Sequence, residues 1–268
     1  MSSLRPPPIR LVCLDFDGTI MVYDDPKPCF HPDVIEWLNA LQMGGIQWCS
    51  NSGRDLPDQL GVLQESQHRG LEHMPLGLLC AESMAYVRQD GDYRPLEPWN
   101  TTAHHHLLRL HARVRERLRP YMDWIEQRFR PKGVYVGDHY TAFQVEEAKD
   151  HPRQLFRELE ALLVGVPELM LTRNGPWVAV LQERLGKGNV LREFARVMEY
   201  RPHEILAVGD QFNDLNMLDG MAALHVACPG DAVAEVAELV RSRNGLVAQR
   251  GGPSGTVEIL HHYLGRIS

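Results

Sequence analysis

Short apolar runs alternate with amphipathic stretches along much of the chain. The run 11–14 is apolar at every position, and residues 34–41 follow with apolar side chains at the spacing of one helix face. Further apolar runs of strand length occur at 46–49, 76–80 and 205–208. Because near-continuous apolar strands separated by helices are typical of a parallel sheet covered on both faces, the pattern predicts an α/β fold.

The pattern changes in the middle of the chain. Pairs of short strands there enclose turn sequences such as Asp90-Gly91-Asp92, and a charged helix is expected at 101–119. This order predicts an inserted α+β domain with an antiparallel sheet at 83–185. Residues 1–82 and 186–268 then form the two parts of the core domain.

Two carboxylates follow the first apolar run directly. Asp15 and Asp17 are one residue apart at the end of the predicted strand, so their side chains point the same way. Neighbouring carboxylates repel each other, and a bound cation offsets that cost. Gly18, which comes next, lets the backbone turn and a ligand approach closely. A solvated turn is the alternative for such a pair alone, but the pair indicates a Mg²⁺ site with one carboxylate as nucleophile and the other as proton donor.

Residues suited to an anion occur in two further places. Ser52, Gly53 and Arg54 follow the run 46–49, and a hydroxyl, free backbone N–H groups and a guanidinium suit a phosphate. Lys187 lies between glycines at the start of an amphipathic run, where its ammonium can reach an anion. Each signal is weak by itself, because Ser-Gly turns are common and single lysines are usually solvated.

The apolar run 205–208 also ends in polar residues. Asp210 follows it after one glycine, Asn213 comes next, and Asp214 is expected to open the following helix. In parallel sheets covered by helices, ligands bind beyond the carboxyl ends of the strands. The sequence therefore predicts that Asp210 shares one crevice with Asp15 and Ser52.

Taken in order, these four segments resemble the four motifs of the haloacid dehalogenase superfamily of phosphohydrolases. The resemblance implies a Rossmann-like core and a mechanism in which Asp15 attacks phosphorus while Asp17 serves as general acid and base. It implies that Ser52, where the family more often has threonine, hydrogen-bonds the transferred phosphoryl group. Lys187 would steady the negative charge of nucleophile and phosphate.

The resemblance also implies a cofactor and its ligands. The cofactor is Mg²⁺, and its implied ligands are Asp15, Asp17 (through its backbone carbonyl), Asp210 and Asp214. The residues implied to contact the phosphate or the rest of the substrate are Gly18, Gly53, Arg54 and Asn213.

The segment 83–185 resembles the large cap of the sugar-phosphatase-like branch of the superfamily, which includes Cof-type proteins. Such a cap closes over the site, excludes water and selects the leaving group. The implied function is Mg²⁺-dependent hydrolysis of a phosphomonoester, either a phosphorylated sugar or a sugar conjugate, through an aspartyl phosphate. Three alternatives stay open: a sugar phosphomutase of the same superfamily, a synthase-coupled biosynthetic phosphatase that acts on one phosphorylated sugar conjugate, and a regulatory or binding protein that has kept the fold without turnover.

Composition changes this picture little. Hydrophobic residues make up 44% of the chain and charged residues 24%, which is ordinary for a globular protein. The net charge of −7 argues against nucleic acids and acidic membrane surfaces as partners. No apolar window approaches the roughly 18 residues that a membrane span needs, and the N-terminus lacks an apolar signal segment, so a cytoplasmic location is expected. The expected partner is a small-molecule phosphomonoester, and the oligomeric state is left open.

Two residue types invite a metal-site interpretation and are given a structural one instead. Cys13, Cys49 and Cys80 fall in predicted strands and are expected to be buried thiols in a reducing compartment, without disulfides. The histidines at 104–106 and His111 lie on a predicted helix, where consecutive side chains point in different directions. A solvated helix face is expected for them.

Overall fold

The computed structural model describes residues 9–23 and 27–265, which form two compact units. The first unit consists of the described chain up to Leu96, of Lys187–Asp210 and of the chain from Asp214 onward; the second consists of Glu97–Gly186 and Gln211–Asn213. The N-terminal segment, on which the expected location partly rests, lies outside the described residues. So does part of the polar loop that follows the first motif.

Strands and helices alternate through most of the first unit, as the pattern predicts. The strands, in chain order, are β1 (Leu11–Leu14), β2 (Met21–Val22), β3 (Cys29–Phe30), β4 (Gln47–Asn51), β5 (Gly77–Cys80), β6 (Met84–Gln89), β7 (Asp92–Pro95), β8 (Gly133–Val136), β9 (Thr141–Gln144), β10 (Leu169–Asn174), β11 (Trp177–Gln182), β12 (Ile205–Val208), β13 (His225–Cys228) and β14 (Leu246–Val247). The helices are α1 (Pro32–Met43), α2 (Leu56–His68), α3 (Trp99–Leu118), α4 (Met122–Phe129), α5 (His151–Leu162), α6 (Lys187–Val197), α7 (Ala234–Ser242) and α8 (Gly252–Leu264).

An eight-stranded sheet forms the centre of the first unit, in the order β14-β13-β12-β1-β4-β5-β6-β7. The strands from β14 to β5 are parallel, which confirms the predicted α/β fold. β1 lies between β12 and β4, with Leu14 in register with Val208 and Ser50. The three strands that carry polar motif residues are therefore neighbours, and those residues emerge at one edge of the sheet.

The hairpin of β6 and β7 belongs to this sheet, not to the inserted domain in which the sequence places it. β6 pairs antiparallel with β5, with Ala85 opposite Leu79, and β7 extends the sheet by pairing with β6. Ala85 and Val87 are buried, so the hairpin gains its stability from the core of the first unit. A turn directly after β5 returns the chain beside that strand, which is the usual placement of consecutive strands.

Helix α1 illustrates how the sequence builds the layers around the sheet. Its buried side chains, Val34, Ile35, Leu38 and Leu41, recur at the spacing of one helix face. His31 precedes the helix, and its Nδ1 accepts a hydrogen bond from the backbone N–H of Asp33 at 3.2 Å, which satisfies one free donor of the first turn. The helix thereby joins the apolar cluster that contains Val12, Leu14 and Trp48.

The second unit contains an antiparallel sheet in the order β10-β11-β9-β8, as predicted for the inserted segment. One face, with Phe143 on β9 and Val178 on β11, packs in an apolar cluster with helices α3, α4 and α5. On the opposite face, the rings of Tyr135 and Trp177 lie 5.6 Å apart between centroids. The sequence analysis did not predict α4, an eight-residue helix with only two buried side chains, Ile125 and Phe129.

His111 contradicts the expectation of a solvated histidine face on α3. His104 and His105 are exposed, but His111 is fully buried, and its Nδ1 lies 3.0 Å from the hydroxyl oxygen of Thr141. Burial lowers the pKa of His111 to about 4, and the positive charge of Arg115 contributes. The helix turns this position toward the sheet, so the ring stays neutral where an exposed histidine would begin to protonate.

We expect the second unit to lose stability as the pH falls from 7 to 5, because of His111. In the unfolded chain His111 binds a proton near pH 6.5, but in the folded protein only near pH 4. Its contribution to the free energy of unfolding is therefore fully present above pH 6.5 and is lost as the pH falls toward 4. Between pH 7 and pH 5, His111 should lower the free energy of unfolding by about 2 kcal/mol. Urea unfolding of wild type and of His111→Gln at both pH values measures it. An equal pH dependence in the two proteins would show that this histidine is not the cause.

The cysteines are buried, as predicted for Cys13, Cys49 and Cys80. Cys29 and Cys228 are buried as well, and no disulfide joins any of the five. Among the described residues, none of the helices combines the length and apolar character needed to cross a bilayer.

Candidate functional site

The site begins where β1 and β12 end side by side. The backbone N–H of Asp15 donates to the carbonyl oxygen of Val208 at 3.0 Å, which continues the pairing of the two strands by one residue. Asp210 follows β12 after Gly209, and Asp214 follows one short turn later. Asp15, Asp210 and Asp214 each offer a carboxylate oxygen within 4.8 Å of the others, and all three are buried. The strand ends therefore gather three acidic groups in one place, as the sequence predicts.

Lys187 lies among these carboxylates. Its Nζ is 2.7 Å from an oxygen of Asp15 and 2.7 Å from an oxygen of Asp214, and the side chain is fully buried. The residue opens helix α6, and its own carbonyl oxygen accepts a hydrogen bond from Asn51 Nδ2 at 2.8 Å. The next residue is Gly188, where a Cβ would overlap the backbone of Asn216. Close packing around the helix start thus fixes the point from which the ammonium reaches the site.

The buried charges control each other's protonation. Burial alone lowers the pKa of Lys187, but the carboxylates of Asp15 and Asp214 outweigh that effect and raise it, so the ammonium stays charged. Burial raises the pKa of Asp15, and Lys187 opposes the rise only in part, because Asp214 and Asp210 add negative charge. One lysine does not balance the acidic groups around it, so the site favours a second cation.

The residues present fit a divalent metal ion. The second oxygen of Asp15, Oδ2, is buried and has no hydrogen-bond partner in the described part of the chain. Asp210 lies against Gly18, which has a φ of +77° and no room for a side chain, because a Cβ there would overlap the carboxylate. The hydroxyl of Thr19 donates to Asp210 Oδ1 at 2.9 Å and orients it. Oxygen ligands of this kind are those that Mg²⁺ prefers.

Asp17 has a different environment from that of Asp15. Its carboxylate lies outside the three-carboxylate group and forms a bidentate ion pair with Arg54, with Nε–Oδ2 at 2.8 Å and Nη2–Oδ1 at 2.7 Å. The hydroxyl of Tyr23 also donates to Asp17 Oδ1. Burial raises the pKa of Asp17, but the hydrogen bonds from Arg54 and Tyr23 outweigh it and lower it. The sequence expects Arg54 to bind phosphate, whereas in the structure its guanidinium binds this carboxylate.

The second motif is held together by its own backbone. Ser52 is buried at the end of β4, and its hydroxyl oxygen accepts the backbone N–H of Arg54 at 3.2 Å. The backbone N–H of Glu82 donates to the carbonyl oxygen of Ser52 at 3.3 Å, and a Cβ on Gly53 would lie 3.4 Å from Glu82 Oε1. This compact turn joins the ends of β4 and β5.

Sequence reasoning missed two residues of this region, Tyr23 and Glu82. Glu82 is buried, has a φ of +57°, and is one of the negative charges that raise the pKa of Lys187. It follows β5 at the same edge of the sheet as the motif residues, so the strand-end rule could have identified it. Tyr23 offered no comparable signal, because it is an isolated aromatic residue in a polar stretch.

The segment after β12 departs from the expected helix. Phe212–Asp214 forms a single 3-10 turn, and turns without a further helix follow it as far as β13. The backbone N–H of Asp210 donates to Asp214 Oδ2 at 2.9 Å, so the second carboxylate stabilises a tight loop and does not open an α-helix. Asn213 is buried and is assigned to the second unit.

Residues 116–240 match the sequence model of the haloacid dehalogenase-like hydrolases. The match covers just under half of the chain and shows a likeness to that family. The matched segment contains Lys187, Asp210 and Asp214 but begins after Asp15 and Ser52. In the structure, Asp15 lies 2.7 Å from Lys187 of the matched segment. Through this likeness the chain resembles enzymes of the hydrolase class.

Three solved structures show how widely the fold matches. The sucrose-phosphatase of Synechocystis sp. PCC6803 has a TM-score of 0.70 at 19% identity, over 96% of this chain and 98% of that one. A phosphatase of the haloalkanoate dehalogenase superfamily from Bacteroides thetaiotaomicron has a TM-score of 0.64 at 18% identity, covering 99% and 100%. A HAD/Cof-like protein from Plasmodium vivax has a TM-score of 0.69 at 14% identity, covering 96% and 95%. At these identities the likeness establishes a shared fold.

We expect Lys187→Met to destabilise the protein strongly. The substitution keeps much of the side-chain volume but leaves Asp15 and Asp214 buried without their cation, a change that costs about 3–5 kcal/mol. The control is Lys27→Met, at an exposed lysine of the same unit, which should shift stability by no more than about 0.5 kcal/mol. Urea unfolding in metal-free buffer measures both variants. Equal stability of the two would contradict the bridging role of Lys187.

Proposed function

We propose that this protein is a Mg²⁺-dependent phosphomonoesterase that works through an aspartyl phosphate on Asp15 and acts on a phosphorylated sugar or sugar conjugate. The observation that carries the proposal is the ammonium of Lys187 at 2.7 Å from Asp15, inside a group of three buried carboxylates. A nucleophilic carboxylate, a fixed cation and further metal ligands are the groups that phosphoryl transfer requires.

Asp15 is suited to attack phosphorus because its two oxygens differ in environment. Oδ1 is held by Lys187, while the buried Oδ2 has no hydrogen-bond partner in the described part of the chain. An oxygen of Asp15 forms a bond to phosphorus as the bond between phosphorus and the leaving oxygen breaks. The resulting acyl phosphate is then hydrolysed by water, and Asp15 is released.

Asp17 is the proposed general acid and base. It lies two residues from Asp15, with its carboxylate about 29% exposed, so it borders the site without being enclosed by it. In the first step it gives a proton to the leaving oxygen, and in the second it takes one from the attacking water. The Arg54 pair favours the ionised form that the second step requires.

The remaining groups stabilise the charge of the transferred phosphoryl group. Lys187 supplies a fixed positive charge, and Ser52 a hydroxyl from the neighbouring strand end. Asp15, Asp210 and Asp214 would hold Mg²⁺, together with the backbone carbonyl of Asp17; when bound, the ion neutralises phosphate charge as a Lewis acid. Because the buried charges are preorganised, little reorganisation is needed as the reaction proceeds.

The second unit supports the sugar part of the proposal. The sheet face opposite helices α3, α4 and α5 carries Tyr135 and Trp177 with ring centroids 5.6 Å apart, and Gln144 lies in register with Trp177. Aromatic rings beside amide groups suit the apolar and hydroxylated sides of a sugar ring. The sucrose-phosphatase with this fold was solved with sucrose and phosphate bound. We assign residues 97–186, with 211–213, as the cap that excludes water and selects the leaving group.

Phosphate release with Mg²⁺ across phosphorylated sugars, sugar conjugates, polyols and nucleotides tests the proposal. We expect turnover that prefers a sugar-containing compound. Asp15→Asn should lower turnover by at least about 10³-fold with the fold intact, because the amide is a poor nucleophile and cannot form the acyl phosphate.

The matched control is Asp58→Asn, at an exposed aspartate in the first turn of α2, which should keep wild-type turnover. Full activity in Asp15→Asn would exclude the assigned nucleophile. Transfer of phosphate between sugar positions with little release of inorganic phosphate would indicate a mutase instead.

A further inference from the structure

Tyr23 is an exposed aromatic residue whose position packing does not explain. It follows β2 in the first unit, and 58% of the residue is open to solvent. Little apolar area is buried by such a side chain, so the hydrophobic effect contributes little to its placement. Its hydroxyl makes a polar contact, since it donates to Asp17 Oδ1.

Arg54 approaches the same carboxylate from another strand end. Its guanidinium binds both oxygens of Asp17, at 2.8 and 2.7 Å. Its backbone is fixed at three points, because its N–H donates to Ser52 Oγ and its carbonyl oxygen accepts from Ala81 N at 2.9 Å and from Gln59 Nε2 at 3.2 Å. Arg54 therefore offers its donors from a rigid turn.

Tyr23 and Arg54 together donate hydrogen bonds to both carboxylate oxygens of Asp17. Oδ1 accepts from both Tyr23 and Arg54, and Oδ2 accepts from Arg54. The Tyr23 hydroxyl and the Nε and Nη2 groups of Arg54 are all donors, so they complement an ionised carboxylate, which only accepts hydrogen bonds. With Arg54 alone the ion pair can swing as a unit, whereas a third donor from a different element fixes the orientation of the carboxylate plane.

We propose that Tyr23 is a positioning residue that, together with Arg54, orients Asp17 as the base that activates water for hydrolysis of the aspartyl phosphate. The inference rests on the proposed function. In that step the water oxygen forms a bond to phosphorus, the bond between phosphorus and Asp15 breaks, and one water proton moves to Asp17. Inorganic phosphate leaves, and Asp15 returns to its carboxylate form.

A role of Tyr23 in one reaction step can be distinguished from a role in folding alone. The Tyr23 hydroxyl donates to the ionised carboxylate of Asp17, which is the form that accepts the water proton in the second half-reaction. Loss of the hydroxyl therefore slows that half-reaction more than the first, and the phospho-enzyme accumulates. The value of kcat/KM, which reports the steps up to departure of the leaving group, changes little, while kcat falls. A tyrosine needed only for folding would lower both values together and leave the share of phospho-enzyme unchanged.

The test compares Tyr23→Phe with wild type, using a substrate labelled in its phosphoryl group. Rapid acid quench measures the rate of dephosphorylation and the steady-state fraction of phospho-enzyme. We expect about tenfold slower dephosphorylation, a part of the ~10²–10⁴-fold contribution of general base catalysis. The matched control is Tyr263→Phe, which removes a hydroxyl that donates to the carbonyl oxygen of Val226 at 3.2 Å. It should behave as wild type.

Three results would overturn the inference. One is unchanged dephosphorylation in Tyr23→Phe, and another is a parallel loss of kcat and kcat/KM without accumulation of phospho-enzyme. The third is the same change in Tyr263→Phe. Failure of the proposed function is distinct from all of these, because wild type itself would then release no phosphate from any compound of the panel.

Discussion

A lysine ammonium buried between two carboxylates is the constraint on which the rest of the site depends. Burying one charge without a partner is strongly unfavourable, so Lys187, Asp15 and Asp214 must assemble together or not at all. They come from three separate chain segments: the end of β1, the start of α6 and the loop after β12. Folding of the parallel sheet is what brings these segments together, and the ion bridge in turn favours that assembly over alternatives.

The sequence predicted the core and the charged centre because two independent signals agreed. Continuous apolar runs indicated a parallel sheet, and the strand-end rule then placed Asp15 near Asp210 although 195 positions separate them in the numbering. Lys187 was weaker evidence by itself, since nothing local distinguishes it from a solvated lysine. It is buried because of contacts with residues far away in the sequence. The only sign of those contacts in the sequence was the position of Lys187 in the order of the motifs.

Other features depended on contacts that local patterns do not encode. The β6–β7 hairpin has the same alternation whichever sheet it joins, so its membership in the first unit was predicted incorrectly. His111 lies on a polar helix and is buried because its position faces the sheet. Tyr23 and Arg54 contact Asp17 through long side chains from different elements, and the spacing of residues in the sequence does not predict such contacts. The errors therefore concentrate where tertiary packing, not periodicity, decides the outcome.

Identification of the residue that carries phosphate during turnover tests the central claim most directly. Wild-type protein is mixed with substrate and Mg²⁺, quenched, and treated with borohydride, which reduces an aspartyl phosphate to homoserine. Peptide sequencing by mass spectrometry then locates the reduced residue. The account predicts homoserine at position 15, where Lys187 holds one carboxylate oxygen. Turnover with homoserine elsewhere, or with none, would contradict it.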